Sequence, residues 1–493
     1  MITTDIQSLP TLTDARLLIG ALWVTDTSMG SIDHISPMTG RPQATIAMAG
    51  PEEIDAAVAA ATGAFPGWRS TPPDQRRRLL FRVAEAVESH AEELGLISTL
   101  EGGVPRSMAG LGAPTAANWF SYYAGWADKI EGSVVPVYPA RGFDYTLPEP
   151  YGVVGIIIPW NGPLISIGMK VAPALAAGNC VVLKPPELSP FAAVRFGELA
   201  LEAGLPPGVL NVLPGGPAAG ERLVRHPEVA KVSFTGGGAT ARAILDAARE
   251  TLTPVALELG GKSASLLFAD ADLDVAVPFA ARMGMAARSG QGCAFPTRLL
   301  VQRPVYAEVL ERLQAATAGF VVGDPFRAET TMGPVISEGA CNRIMGVIER
   351  AVDDGSGRLI AGGRRLGGPF ADGYYIEPTV FADVANDSPM AQEEIFGPVL
   401  AVIPFGTEEE AVQLANASSY GLAAYINSRD LNRVHRVAPL LAAGSVFVNG
   451  HPGGMLPAAP FGGYRQSGYG REGGKPGLDE FLQIKNVYVQ ELP

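Results

Sequence analysis

The fold is decided by residues 151–187, which read YGVVGIIIPWNGPLISIGMKVAPALAAGNCVVLKPPE. Two apolar runs, Val153–Pro159 and Cys180–Leu183, flank a helix-like segment, Leu164–Ala177. The first half of the stretch carries no charge, but the PWNGP in its middle would break a membrane-spanning helix. Short buried strands that alternate with helices predict parallel strands with right-handed crossovers. The stretch therefore predicts a buried α/β unit.

The same alternation extends to both sides of this unit. Further strands are predicted at Val209–Val212 and Lys231–Phe234, and further helices at Glu52–Phe65, Asp74–Leu94, Phe191–Ala203 and Ala218–Arg225. The α/β pattern resumes after Lys262, which predicts a second α/β domain. Because 493 residues exceed what a single core supports, two or three domains are expected.

Two segments interrupt this pattern. Glu131–Pro150 is polar and proline-containing, like an inserted hairpin, and Phe481–Glu491 has the composition of an exposed strand. An uncovered edge strand promotes association unless a partner pairs with it. We therefore expect these segments to take part in contacts between chains.

Charge and cysteine content narrow the functional class. A net charge of −13 argues against general affinity for nucleic acid or anionic membranes. The three cysteines form no CxxC pair, and the five histidines show no metal-ligand spacing, so neither a disulfide framework nor a metal is expected. The N-terminus lacks the pattern of a signal peptide, and a soluble cytoplasmic protein is expected.

Four short motifs could carry chemistry, although each has a structural alternative. Gly236, Gly238 and Ala241 follow a strand in a degenerate GxGxxG/A spacing, which indicates a phosphate site or an ordinary glycine-rich turn. Glycines flank Cys293, which is either an accessible nucleophile or a small buried residue. Glu258 precedes a double glycine, and Asn161 ends a predicted strand; a cap and a turn residue are the alternatives.

Taken together, the motifs resemble the aldehyde dehydrogenase superfamily over essentially the whole chain. The matching stretches, in the family's order, are Tyr122–Asp128, Ile158–Asn161, Lys184–Glu187, Phe234–Gly236, Glu258–Lys262, Gly290–Cys293, Glu393–Pro398, Pro460–Gly463 and Ser467–Glu472. The resemblance implies the hydrolytic type of enzyme, which oxidises an aldehyde to a carboxylic acid. It also implies a Rossmann-type cofactor domain (1–130 and 151–261), an α/β catalytic domain (262–466) and a small β oligomerisation arm (131–150 and 467–493).

The resemblance assigns five catalytic residues. Cys293 would attack the aldehyde, and the thiohemiacetal would lose a hydride to the nicotinamide, leaving a thioester. Asn161 and the Cys293 backbone N–H would hold the oxyanion. Glu258 would activate water and could help to deprotonate the thiol, while Lys170 and Glu472 would relay protons away from it.

For the cofactor, the resemblance implies NAD. The positions that would contact it are Ile158, Trp160, Lys184, Glu187, Gly236, Gly237, Leu259, Glu394 and Phe396. A carboxylate at Glu187 can bond a ribose 2′-hydroxyl and repels a 2′-phosphate, so NADP is disfavoured. Gly237 replaces the serine common at the pyrophosphate turn.

The expected aldehyde tunnel is lined by small or apolar residues. They are Gly162, Met169, Ala287, Gly292, Ala294, Met455 and Phe461, and the loop His451–Ala459 should form the far wall. A wide, apolar tunnel predicts bulky hydrophobic aldehydes. Because no Arg or Lys is evident at these positions, carboxylate-bearing semialdehydes are expected to be poor substrates, and so is acetaldehyde.

Two alternatives remain. A related class transfers the acyl group to coenzyme A, but those enzymes generally lack the base at the position of Glu258. A non-catalytic protein on the same fold would be free to lose Cys293, Glu258 and Asn161, all of which are present. As for assembly, a homo-oligomer is expected, either a dimer or a tetramer built from two dimers.

Overall fold

The structure is a computed structural model that describes residues 11–139, 141–450 and 455–490. Its strands are β1 (Leu17–Ile19), β2 (Leu22–Val24), β3 (Ser31–Ile35), β4 (Pro42–Ala47), β5 (Val134–Val135), β6 (Gly142–Pro150), β7 (Val153–Ile157), β8 (Cys180–Lys184), β9 (Leu210–Val212), β10 (Val229–Gly236), β11 (Val255–Leu259), β12 (Ala264–Leu267), β13 (Arg298–Gln302), β14 (Arg358–Ala361), β15 (Thr379–Ala382), β16 (Val399–Phe405), β17 (Ala423–Asn427), β18 (Ser445–Val448), β19 (Gly468–Tyr469) and β20 (Leu482–Gln490).

The helices complete the list of elements. They are α1 (Pro51–Ser70), α2 (Pro73–Ser89), α3 (Ala91–Gly102), α4 (Arg106–Ala109), α5 (Gly112–Ala124), α6 (Pro163–Ala177), α7 (Phe191–Glu202), α8 (Pro217–Arg225), α9 (Gly238–Ala248), α10 (Leu273–Ala281), α11 (Tyr306–Ala318), α12 (Glu338–Asp353), α13 (Pro389–Gln392), α14 (Glu408–Asn416), α15 (Leu431–Val437) and α16 (Gly474–Asp479). Within the described ranges, no helix is both long and apolar enough to cross a membrane.

The first sheet has the order β19-β11-β10-β7-β8-β9-β1-β2. Its five central strands, β11 to β9 in that order, are parallel, and antiparallel strands lie at both edges. Every residue of β7 and β8 is buried, as expected for parallel strands covered by helices on both faces. The predicted α/β fold with a Rossmann-type sheet is confirmed.

The second sheet has the order β14-β15-β16-β13-β12-β17-β18 and is parallel except at β14. The short connection between β11 in the first sheet and β12 in the second contains the Gly260-Gly261 pair. The carboxyl end of β11 therefore lies at the junction of the two sheets, where parallel α/β sheets place their ligands.

A third, small sheet combines the two segments that interrupt the α/β pattern. Strand β6 pairs with β5 and, along its whole length, with β20. Ile484, Tyr488 and Val489 on β20 are exposed. Glu491, the last residue of the predicted strand, lies outside the described residues, and Phe481 is buried before the strand begins. The three-part domain division stays a prediction; β19, inside the predicted arm, pairs with β11 of the first sheet.

Two predicted helices have different bounds in the structure. The segment Asp74–Leu94 is not one helix, because α2 ends at Ser89 and α3 begins at Ala91. The Ser89 hydroxyl donates to the Glu85 carbonyl, and the His90 ring donates to the Ala86 carbonyl, so both side chains compete for helix acceptors at the break. By contrast, α1 is longer than predicted and continues beyond Phe65 to Ser70, since Trp68 is buried in the core and stabilises the additional turn.

Candidate active site

Cys293 is held by a tight, left-handed turn at residues 288–290. Arg288 and Ser289 have φ values of 46° and 53°, and Gly290 has a φ of 72°. A Cβ on Gly290 would lie 2.1 Å from the Gly397 carbonyl oxygen, so only glycine fits there. The turn is anchored where the Ser289 hydroxyl donates to the Gly333 carbonyl at 2.8 Å.

Asn161 lies just beyond the end of β7 and faces this loop. Its Nδ2 donates to the Gln291 carbonyl oxygen at 3.0 Å, two residues before Cys293. The Arg288 guanidinium in turn donates to the Asn161 carbonyl oxygen. The amide of Asn161 is thus oriented toward the segment that carries the cysteine, with a second N–H available to another acceptor.

Glu258 lies on β11 and is buried with only 5% of its surface exposed. Neither carboxylate oxygen has a hydrogen-bond partner among the described residues. Burial, and then the nearby carboxylate of Glu472, raise the pKa of Glu258 well above its usual value, although Lys170 and Arg471 oppose the shift. A carboxylate in this state is a stronger base than an exposed one.

Lys170 and Glu472 form a buried ion pair behind Glu258. The Lys170 Nζ lies 2.6 Å from the Glu472 Oε1 and also donates to the Ser233 hydroxyl at 2.9 Å. All four side chains line one cavity of about 250 Å³, which extends past Arg471. The structure thus brings Lys170 and Glu472 together with Glu258, while their roles stay predictions. Ser233 was not predicted, because a serine inside a strand carries no functional signal.

The resting Cys293 side chain is a thiol. Burial comes first among the causes that raise its pKa to about 12, followed by the carboxylates of Glu394, Glu258 and Glu472. Formation of the nucleophilic thiolate therefore needs a nearby base. Glu258 is one of the carboxylates that act on this thiol and is therefore the candidate for that base.

The residues predicted to contact the dinucleotide line the carboxyl edge of the first sheet. Strand β10 ends at Gly236 and α9 begins at Gly238, and a Cβ on Gly237 would meet no atom within 4 Å. Open space over a helix N-terminus suits a phosphate group. The Lys184 Nζ donates to the Gly215 and Pro185 carbonyls, and burial lowers the pKa of Lys184 to about 8 while Glu187 opposes this shift.

The remaining predicted cofactor positions include Glu394, whose carboxylate acts on the Cys293 thiol. The Glu394 Oε1 accepts a hydrogen bond from the Gly261 N–H at 3.0 Å, and burial raises the pKa of Glu394. The rings of Trp160 and Phe396 pack edge to face, 5.3 Å apart. Ile158 and Leu259 are buried at the ends of β7 and β11.

The predicted tunnel is narrower than the small residues suggested. At Gly292 the expected free space is filled, because a Cβ there would lie 2.5 Å from the Phe295 ring. Small size at Gly292 therefore accommodates Phe295 rather than substrate. The other small or apolar positions, Met169, Ala287, Ala294 and Phe461, are buried.

The expectation that no cation lies beside the tunnel positions is wrong. A Cβ on Gly162 would lie 3.9 Å from the Arg288 Nη1, and the same distance from Ile165. Arg288 was missed because the left-handed turn, which carries no glycine signal at this residue, decides where its side chain goes. On the far wall, the Met455 carbonyl accepts from the Trp119 indole at 3.3 Å, whereas residues 451–454 lie outside the described residues.

Comparison with known proteins places this geometry in context. Residues 23–487 match the family model described as "Aldehyde dehydrogenase family". An aldehyde dehydrogenase of Alternaria alternata is 41% identical over 464 residues, which cover 93% of this chain and 92% of that protein. A putative aldehyde dehydrogenase from Burkholderia cenocepacia superimposes with a TM-score of 0.94 at 40% identity, covering 97% of this chain and 98% of its own. The betaine aldehyde dehydrogenase of Staphylococcus aureus in complex with NAD+ has a TM-score of 0.94 at 36% identity, covering 97% and 95%.

Proposed function

The chain belongs to the aldehyde dehydrogenase family, and we propose that it oxidises an aldehyde to a carboxylic acid with NAD, through a thioester on Cys293. One observation carries the proposal: Cys293, Asn161 and Glu258, from three separate elements, converge where the two large sheets meet. A nucleophile, an oxyanion donor and a base within one site are the groups that acyl chemistry on a thiol requires.

The residues that would hold NAD fit a dinucleotide. The open space over Gly237 suits the pyrophosphate, the buried Lys184 and the half-buried Glu187 suit the adenosine ribose, and Glu394 suits the nicotinamide ribose. Trp160, Phe396, Ile158, Gly236 and Leu259 complete the proposed contacts. The chemistry that bound NAD supplies is a hydride acceptor for the carbon attached to Cys293.

The chain's own residues perform the remaining steps. Glu258 takes the proton of Cys293, and the thiolate adds to the aldehyde carbon to give a thiohemiacetal. The free N–H of the Asn161 amide and the Cys293 backbone N–H hold the oxyanion; one such donor contributes about 3–4 kcal/mol to transition-state stabilisation. After oxidation, Glu258 takes a proton from water, which attacks the thioester and releases the acid and the thiol. Lys170 and Glu472 carry the proton outward.

One experiment distinguishes the proposed hydrolytic enzyme from a coenzyme A-acylating enzyme and from a non-catalytic protein. Production of NADH from a simple aldehyde is measured with and without coenzyme A, in the wild type and in Cys293→Ala. The hydrolytic enzyme needs no coenzyme A and loses activity in Cys293→Ala, whereas a coenzyme A-acylating enzyme needs the thiol acceptor and a non-catalytic protein makes no NADH. Cys180→Ala and Cys341→Ala are matched controls, because both side chains are fully buried in core clusters. Normal turnover by Cys293→Ala would disprove the mechanism.

The substrate proposed from sequence is a bulky, hydrophobic aldehyde. Buried apolar side chains at Met169, Ala294 and Phe461 support an apolar acyl chain, and each buried methylene would contribute about 0.8 kcal/mol to its binding. Efficiency should therefore rise with chain length from propanal until the space is full. Equal kcat/KM for propanal and a ten-carbon aldehyde would contradict this proposal.

Assembly and location remain part of the proposal. We expect a dimer, or a tetramer built from two dimers, to form through the exposed face of β20 and β6. We also expect a cytoplasmic location. The exposed apolar side chains Phe143, Leu147 and Ile484 on these two strands support an association surface.

A further inference from the structure

The Arg288 side chain lies beside Asn161, the proposed oxyanion donor, and most of its N–H groups make no hydrogen bond to the described residues. Its guanidinium donates to the Asn161 carbonyl, which uses one of five N–H groups. No carboxylate forms an ion pair with it among the described residues, whereas Arg298, the next arginine along the chain, donates four hydrogen bonds. The remaining N–H groups of Arg288 can therefore donate to an anionic ligand.

The cation faces two adjoining cavities. One, of about 370 Å³, is lined by Arg288 together with Gly162 and Ile165, and the other, of about 290 Å³, by Arg288 together with Asn161 and Gln291. The second cavity therefore places the cation beside Asn161 and beside Gln291 of the loop that carries Cys293. Gly162 has no side chain to cover the guanidinium. A Cβ at this position would lie 3.9 Å both from the Arg288 Nη1 and from Ile165.

The other titratable group at this cavity is not a substitute counter-ion. Glu101 is fully buried, and its Oε2 accepts hydrogen bonds from the Phe191 and Ala192 N–H groups at the start of α7. Burial raises the pKa of Glu101 to about 8, so it is mostly neutral at neutral pH. The net charge presented to a ligand in this cavity is therefore positive.

We propose that Arg288 binds a carboxylate at the far end of the substrate, so that the preferred substrates are aldehydes that also carry an acid group. The inference rests on the proposed aldehyde oxidation and replaces the expectation that semialdehydes are poor substrates. A guanidinium and a carboxylate form paired, charge-assisted hydrogen bonds, which fix both the orientation and the depth of the acyl chain. The apolar lining would then contact the methylenes between the two functional groups.

The first test compares oxo acids with neutral aldehydes of equal length, from three to eight carbons. In the wild type, kcat/KM should be higher for the oxo acid at the optimal length. Arg288→Gln should lower kcat/KM for that oxo acid about 10- to 100-fold more than kcat/KM for the neutral aldehyde of equal length, whose own loss measures the missing hydrogen bond to the Asn161 carbonyl. Arg282→Gln, which removes an exposed arginine from the preceding turn, is the matched control and should change neither.

A second variant tests access without removing the cation. Gly162 has an extended backbone (φ −173°), so Gly162→Phe introduces no backbone strain and places a ring between Arg288 and Ile165. It should abolish the preference for the oxo acid. Equal losses for both substrate types in Arg288→Gln, or a wild-type preference for the neutral aldehyde at every length, would overturn the proposal.

A binding measurement separates this inference from the proposed function. Calorimetric titration of the cofactor-free protein should give tighter binding of glutarate or adipate than of hexanoate, and Arg288→Gln should remove the difference. If the protein oxidises no aldehyde but retains this Arg288-dependent binding, aldehyde oxidation fails and the anion site stands. If it oxidises neutral aldehydes and binds dicarboxylates no better than hexanoate, the anion site alone is refuted.

Discussion

Removal of the cation from the buried Lys170–Glu472 pair should have two effects. It should lower the free energy of unfolding, and it should shift the pH dependence of turnover. Lys170→Met leaves the Glu472 carboxylate buried without its partner at 2.6 Å, next to the buried Glu258. Loss of one member of a buried ion pair costs about 3–5 kcal/mol in the free energy of unfolding. The lost hydrogen bond to the Ser233 hydroxyl accounts for about 1 kcal/mol of this.

The sign of the pH effect follows from the same geometry. Lys170 lowers the pKa of Glu258, so its removal raises that pKa further. Because Glu258 acts as a base only when ionised, the pH at which steady-state turnover is half-maximal should move upward. The double variant Lys170→Met/Glu472→Gln should recover most of the stability and return the profile toward the wild type, since both charges are then absent.

Urea unfolding followed by tryptophan fluorescence, together with pH–rate profiles, measures both effects. Lys475→Met is the matched control: its ion pair with Asp479 is exposed, and its loss should cost less than about 1 kcal/mol. A Lys170→Met protein that is as stable as the wild type, with an unchanged pH profile, would refute the reasoning.

Three further predictions test the base, the cofactor and the arm. Glu258→Gln should keep a pre-steady-state burst of NADH, although the burst should form more slowly because the thiol loses its base, and steady-state turnover should be slow because the thioester loses its base as well. The variant should also lose the rise of rate with pH that ionisation of Glu258 gives; an unaltered steady-state rate at neutral pH would exclude a general-base role. The wild type should show higher kcat/KM with NAD than with NADP, and Glu187→Gln should narrow the difference by removing repulsion of the 2′-phosphate; a wild-type preference for NADP would contradict this role. Deletion of residues 481–493 removes β20, so size-exclusion chromatography should show monomers or the protein should be insoluble, whereas a stable, assembled truncation would argue against the arm.

Much of the fold could be predicted because burial on both faces leaves a clear trace in the sequence. The apolar runs of β7 and β8 are continuous rather than alternating, which is typical of parallel strands between helices. The break between α2 and α3 left a weaker trace. Hydrophobic spacing continues through it, and only the side-chain hydrogen bonds of Ser89 and His90 show where the helix ends.

The grouping of Cys293, Asn161 and Glu258 was expected only from the resemblance of their motifs to the aldehyde dehydrogenase family, since each motif alone has a structural alternative. The shape of the space beside Cys293 could not. It depends on side chains that the left-handed turn redirects, and neither Arg288 nor Ser289 is a residue that usually adopts a positive φ.

Small residues and open space are therefore different properties. Protein interiors are packed densely, so a glycine in a core usually accommodates a neighbour that has moved in. Phe295 occupies the room that Gly292 leaves, whereas at Gly162 the nearest neighbours are 3.9 Å from the position of a Cβ and the room stays open. A glycine is thus followed by a filled space at Gly292, whereas at Gly162 it leaves the Arg288 guanidinium uncovered. For this reason we expect the charge of the substrate, which a list of small residues cannot reveal, to depend on the placement of Arg288.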